Sequence, residues 1–583
     1  MKDILIRPIS ENIIYFCFMY LLGVLCIYTT TEQSYLPFFI KLFPELFLDI
    51  YIFCFIIEFI FYRWKKYIYV FFALIFYLIA IVDLFCSAKL GSTISPCILQ
   101  LVLETNTTEA TEFFNSYIGK DIIYSPVGVV IILMTSHFLI QQALPSTRIK
   151  LKYKHPTLIN ISFLSLLLIC IFASSKNKYS ILKTWHYKTI GEVENYLASD
   201  YYAIRAQYIP IYRLAFAIHA NRLTKNQIQV LIKTLKETEV DSCSFRSPNI
   251  VLIIGESYNK HHSQLYGYTM PTTPYQLKRF KDGELFVFND AVTPYNLTSD
   301  ALKNAFSLND LSKKEQWCDK PLFTTLFKKA GYQVTLLSNE FVTKQQGGVA
   351  DFSGGMFLNN QISSSLQFDI RNTHIHKFDE GLITDYQSLC KQPKDSSLVI
   401  FSLIGQHIDY KDRYPTNFSV IKTKDYKRDD LTNDQLRIVK DYDNATRYND
   451  YIVDQIIKLF EQKDAIVIYM PDHGDECFDQ IKTCGRLHIT PVTKDIAYNE
   501  YQIPFWIWCS DLYKENHQEV INLIKQSLDH RFISDDLPHM LLYLAGISCK
   551  DYREELNTLS RHFNKKEVLL RGSTNYDRLF NNY

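Results

Sequence analysis

The chain has 583 residues, more than one ordinary domain holds. Lys plus Arg number 62 and Asp plus Glu 61, a net charge of +1 that gives no support for nucleic-acid binding. Hydrophobic residues make up 48%, unevenly spread: the first third is composed like a membrane protein and the rest like a globular one. No CxxC pair occurs among the 13 cysteines, which argues against a zinc ribbon. Cys477 and Cys484 are close enough in sequence to bridge, but geometry decides that, not spacing.

Five apolar segments are expected to span a bilayer: Ile13–Thr29, Leu42–Tyr62, Tyr67–Cys86, Ile122–Leu144 and Leu158–Ala173. Lys2 and Arg7, then Arg63, Lys65 and Lys66, then Arg148, Lys150, Lys152 and Lys154 all fall on one side if the N-terminus is cytoplasmic. Five is odd, so everything beyond about residue 175 is expected outside the cytoplasm. The loop Ser87–Asp121 then faces outward and contains LVLETNTTEATEFF, whose pattern suits a surface helix or a solvated acidic face.

Residues 176–247 read as a polar, helical bridge. Tyr208–Leu223 looks like an interfacial helix and Leu223–Val240 like a second, exposed one. From residue 248 on, strands are expected at Ile250–Ile254, Leu285–Asn289, Gln333–Leu337, Ser397–Leu403, Ala465–Tyr469 and Phe505–Cys509. Helical patterns at Pro321–Ala330, Gln435–Gln462 and His517–Leu528 alternate with them. That alternation predicts an α/β domain with a mostly parallel sheet.

Chemistry-bearing residues stand at the strand ends, where open α/β sheets place ligands. Glu256 follows NIVLIIG, and Asp472 with His473 follows AIVIYMP. Glu256 alone could merely cap the next turn; two core strands that both end in metal-ligating residues are harder to explain as packing. His407 follows a third strand and His488 lies in the loop GRLHITP. Thr298-Ser299-Asp300 precedes a helical pattern, where Ser299 or Asp300 could simply cap. A hydroxyl at a helix N-terminus beside a metal is also a good nucleophile toward a phosphoryl group.

These residues carry a resemblance. GES at 255–257, YGYTMPTTP at 266–274, the Thr298 segment ending AFS, GQH at 405–407, RYP at 413–415, YDNATRYNDYIV at 442–453, DHGDE at 472–476 and LH at 487–488 are similar to the bacterial inner-membrane phosphoethanolamine transferases. The resemblance includes the lipid A-modifying and colistin-resistance enzymes and covers essentially the whole chain. It implies a five-helix transmembrane domain (1–175), the bridge (176–247) and an α/β/α, alkaline-phosphatase/sulfatase-like catalytic domain in the periplasm (248–583).

By that similarity Glu256, Thr298, Asp472 and His473 hold zinc, one ion or two, with manganese the less expected metal. Thr298 is the nucleophile. His407 and His488 bind phosphate or a second zinc, and Thr105 and Glu109 contact the ethanolamine-bearing substrate. The implied donor is phosphatidylethanolamine, and the acceptor is lipid A or another envelope glycan, with cationic-peptide resistance as the family-level consequence. Departures exist: Leu101 replaces the family's outer-loop Asn, the cysteine pair that often flanks the nucleophile is missing, and Asp475 replaces a Glu. The alternative is a phosphoglycerol transferase of the lipoteichoic-acid-synthase type. A sulfatase activity is not expected, because no CxPxR or SxPxR stretch occurs.

Overall fold

The computed structural model describes residues 4–30, 36–61, 63–90, 93–96, 98–99, 120–144, 156–199, 203, 206–313, 315–340, 355–391, 394–487, 491–564 and 566–580. Thr105, Glu109 and His488 lie outside the described residues. The chain divides into two compact units, Met1–Thr224 and Lys225–Tyr583.

The first unit is a helical bundle: α1 (Ile13–Thr30), α2 (Leu36–Ile60), α3 (Lys65–Leu90), α4 (Pro126–Ala143) and α5 (Pro156–His186). Among the described residues, four helices are long and apolar enough to cross a membrane: Ile13–Thr30, Lys65–Lys89, Pro126–Ala143 and Thr157–His186. The expected second span differs. Helix α2 carries Lys41, Glu45, Asp49 and Glu58 within its 25 residues. Its carboxylates are satisfied inside the bundle rather than by solvent. Glu58 meets Arg7 at 3.0 Å and Lys65 at 2.9 Å. Lys178 on α5 reaches Glu45 at 3.0 Å and Asp49 at 2.7 Å, and Asn177 donates to Glu45 at 2.8 Å. This pairing extends α5 well past the expected end at Ala173. Buried charges are rare in apolar bundles unless partnered in this way. The two helices expected at Tyr208–Leu223 and Leu223–Val240 form one, α6 (Pro210–Glu237).

The second unit is a three-layer α/β/α sandwich. Its sheet holds β1 (Asn249–Gly255), β2 (Leu285–Phe288), β3 (Gln333–Ser338), β4 (Ile370–Arg371), β5 (Ser397–Ser402), β6 (Ala465–Pro471) and β7 (Phe505–Cys509). The spatial order is β2-β7-β6-β1-β5-β3-β4. Strand β1 is central and runs parallel to both β5 and β6, while β7 is antiparallel to its two neighbours. All six expected strands are in this sheet; only the two-residue edge strand β4 escapes a sequence reading, being too short to show a pattern.

Alternation along β1 supplies both faces. Ile250, Leu252 and Ile254 pack with α9 (Phe323–Ala330), α12 (Gln518–Gln526) and α13 (Leu537–Ala545). Val251 and Ile253 pack with α10 (Glu380–Leu389) and α11 (Asn433–Lys458). Two further helices bear on the site, α7 (Pro274–Lys281) and α8 (Thr298–Phe306). Helix α11 starts at a capping box: Thr432 accepts from the Gln435 amide, and the Gln435 side chain accepts from Thr432. Because β1, β5 and β6 are parallel neighbours, their carboxyl ends converge at one edge of the sandwich. That places Glu256, the His407 loop and Asp472–His473 side by side.

Candidate metal centre

The turn after β1 is held under constraint. Ser257 takes φ +54, a left-handed conformation that a non-glycine residue keeps only where its surroundings demand it. Its amide donates to Asp472 Oδ1 at 3.1 Å and its hydroxyl donates to Glu256 Oε1 at 2.7 Å. Gly405 packs against this turn: it has φ +46, and a Cβ there would lie 3.1 Å from both Glu256 backbone N and O. The turn after β6 is equally confined, since a Cβ on Gly474 would come within 2.1 Å of the Asn499 carbonyl oxygen.

Glu256, Asp472 and His473 are all buried, and each offers a ligand atom within 4.8 Å of the others. Tetrahedral zinc bonds of about 2.0–2.2 Å set ligand atoms about 3.3–3.6 Å apart; His473 Nε2 is 2.9 Å from Asp472 Oδ2 and 3.8 Å from Glu256 Oε1, on either side of that spacing. Thr298 is the first residue of α8, and its hydroxyl completes the cluster. Thr298 Oγ1 is 3.4 Å from Glu256 Oε2 and 3.1 Å from His473 Nε2. Among the described residues, His407, on the loop after β5, makes no hydrogen bond to these four. It is close enough to Glu256 for their charges to interact, and burial is the main effect lowering its pKa.

The donor set fits a divalent cation. His473 Nδ1 lies 2.8 Å from the Gly474 carbonyl, so it carries the proton there and leaves the Nε2 lone pair facing the cluster. Nε2 is 2.9 Å from Asp472 Oδ2, yet that buried oxygen has no hydrogen-bond partner. Positive charge reconciles two acceptors at that separation: the Arg486 guanidinium stands 2.7 Å from Nε2, and a cation would serve Asp472 Oδ2 as well. Burial pushes the Glu256 carboxyl up, and the nearby Asp472 charge pushes it further; burial also pushes Asp472 up. Both ionised forms are therefore uncomfortable without positive charge.

One residue of the cluster was missed by the sequence reading. Arg486 Nη1 stands 3.2 Å from Thr298 Oγ1 and 2.7 Å from His473 Nε2. Its segment is anchored by Glu500, which accepts from the Leu487 amide at 2.9 Å and from Asn296 at 2.6 Å. The only available signal was its position in GRLH, two residues before His488. Asp475 was seen only as a departure from a pattern. Burial raises its pKa to about 7, and Tyr410 donates to it at 2.6 Å.

Known proteins share this arrangement of sequence. The phosphoethanolamine transferase EptC of Escherichia coli K12 is 26% identical over 489 residues, covering 81% of this chain and 79% of its own. The phosphoethanolamine transferase EptA of Helicobacter pylori is 29% identical over 333 residues, 56% of this chain and 60% of its own. The crystal structure of the C-terminal periplasmic domain of E. coli EptC in complex with zinc matches 57% of this chain and 91% of that chain at 28% identity, with a TM-score of 0.48. The sulfatase family model matches residues 248–547, which is more than half of the chain. With a cation-ready cluster at the carboxyl edge of an α/β/α sandwich, this chain belongs to the sulfatase family.

Proposed function

We propose that this chain is a membrane-anchored phosphoethanolamine transferase acting through Thr298. The observation that carries the reading is the Thr298 hydroxyl at the N-terminus of α8, buried against Glu256, His473 and Arg486. The relatives named phosphoethanolamine transferase support the choice of group. In this reading residues 1–175 anchor the chain in the bacterial inner membrane, 176–247 form the bridge, and 248–583 are the catalytic domain in the periplasm. The basic residues between the spans set that orientation.

Glu256, Thr298, Asp472 and His473 would hold zinc, which on binding supplies charge neutralisation and a lowered hydroxyl pKa. The donor is phosphatidylethanolamine. Thr298 Oγ attacks its phosphorus, the bond to diacylglycerol breaks, and a phosphoethanolamine ester forms on Thr298. Glu256 Oε2, at 3.4 Å, is the acceptor within reach of the hydroxyl proton. The positive end of the α8 dipole, where Thr298 stands, favours the developing anion. Arg486, 3.2 Å from Oγ, holds a phosphoryl oxygen with a geometry suited to guanidinium. His407 and His488 hold further oxygens or protonate the leaving alkoxide. An acceptor hydroxyl or phosphate, on lipid A or another envelope glycan, then attacks the same phosphorus and frees Thr298. Thr105 and Glu109 contact the head group.

The test is the covalent intermediate. Purified full-length chain with phosphatidylethanolamine in detergent should release diacylglycerol and show phosphoethanolamine on the Thr298 peptide by mass spectrometry. An adduct formed only from phosphatidylglycerol would instead establish the phosphoglycerol alternative.

A further inference from the structure

Two short antiparallel strands, Glu476–Cys477 and Cys484–Gly485, form a hairpin beside the metal centre. One strand leaves the Asp472–His473 turn, and the other leads directly into Arg486. Cys477 faces Cys484 across the ladder, and Glu476 faces Gly485. The Phe478 amide donates to the Thr483 carbonyl at 2.8 Å. That makes 478 and 483 the hydrogen-bonded pair of the hairpin. By the alternation of antiparallel ladders, 477 and 484 are then a non-hydrogen-bonded pair, the type with Cα atoms ~4.5 Å apart and the closer side chains. Disulfides span Cα separations of ~4.4–6.8 Å, so this is a position where a bridge needs no backbone movement. The two side chains share one apolar cluster with Tyr442 and Val439 of α11.

Both sulfurs are thiols in the structure. We infer that Cys477 and Cys484 form a disulfide in the working protein, a clamp fixing the strand after His473 to the strand before Arg486. The inference rests on the reading that this domain lies outside the cytoplasm, where disulfides persist. Cys477 is fully buried and Cys484 only partly so, which sets the order of reaction. The Cys484 thiolate attacks a disulfide-bearing oxidant and releases one of its thiols. The Cys477 thiolate then attacks the Cys484 sulfur in the mixed disulfide and releases the other. Two protons and two electrons leave the pair, and the oxidant's disulfide is reduced to two thiols. The closed loop is short, so the unfolded chain is little constrained; the effect is local. The loop holds Asp479, which accepts from His262 Nε2 at 3.0 Å, so the clamp also steadies that contact.

The experiment has two arms on the full chain. Purified protein is equilibrated with excess oxidised glutathione, denatured, alkylated without reduction and digested. The predicted result is a linked peptide pair for Cys477 and Cys484 and loss of both alkylation adducts; full alkylation of both overturns the pairing. In the second arm, cells are quenched in acid and treated alike. A linked pair is predicted there too; free thiols in cells beside a bridge in vitro overturn the resident disulfide and leave the transferase reading standing. The Cys477→Ala/Cys484→Ala variant should show severalfold weaker transfer that no longer responds to dithiothreitol, while the wild type falls to the same level on reduction. Unchanged transfer in both overturns the clamping role, and a chain with no transferase activity at all still reports on the bridge.

Discussion

At the scale of residues, the account turns on one hydroxyl and the charges around it. Thr298→Ala should reduce transfer by at least about 1,000-fold with the fold intact, and Thr298→Ser should retain a measurable part of it. Steady-state transfer assays beside thermal unfolding separate the two effects; a Thr298→Ala protein with near-normal turnover would remove the nucleophile. Arg486→Ala should lower turnover by about 100-fold, the loss typical of one charge-stabilising donor, without lowering the bound metal. Elemental analysis of that variant tests the division of roles, because Glu256→Gln and Asp472→Asn should lose metal and activity together. Glu256, Asp472 and His473 were legible in the sequence because each closes an apolar strand, a place where packing has no use for them. Thr298 was legible only as one of several hydroxyl or acid candidates before a helix. Arg486 was not legible, since an arginine in a polar loop looks like any solvated one until its 2.7 Å approach to His473 is seen. Ser257 gave no sign either, because its left-handed backbone is held by partners distant in sequence: Asp472, which accepts from its amide, and Gly405, packed on the preceding residue.

At the scale of elements, His262 joins the hairpin loop to α11. Its Nδ1 lies 2.6 Å from Asp443 and its Nε2 3.0 Å from Asp479. Burial alone would push its pKa down, but the two carboxylates outweigh that and hold it at about 10. An unfolded histidine titrates near about 6.5. The folded state therefore keeps an extra proton between those values, and the stabilisation is complete below the lower and lost as pH rises through the upper. The slope is at most about 1.4 kcal/mol per pH unit. Thermal unfolding from pH 7 to 10 should show a steeper fall for the wild type than for His262→Gln, which starts lower and stays flatter. Equal slopes would contradict the paired imidazolium. Helix α11 and the six long strands were legible from apolar periodicity. The single helix α6 was not, because its change of character near Leu223 looks like a break, whereas backbone hydrogen bonding continues through it.

At the scale of the whole molecule, the apolar first unit holds buried charge that a membrane anchor tolerates only in pairs. Asp83 is fully buried on α3 and accepts two hydrogen bonds from Arg213, at 3.0 and 2.5 Å. Asp83→Asn should cost about 3–5 kcal/mol by leaving the guanidinium uncompensated, and Asp83→Asn with Arg213→Met should recover much of it. Melting curves in detergent decide this, and a silent single variant would contradict it. Such pairs blur span counting from sequence: α2 was expected as a plain span, yet its acids are spoken for by Arg7, Lys65 and Lys178.

The central claim is transfer of phosphoethanolamine through Thr298, and mass spectrometry of envelope glycolipids tests it most directly. Cells carrying the intact chain should show species heavier by one phosphoethanolamine, and cells carrying Thr298→Ala should lack them, with the modified species identifying the acceptor. The same increment in both strains, or in neither, would contradict the account.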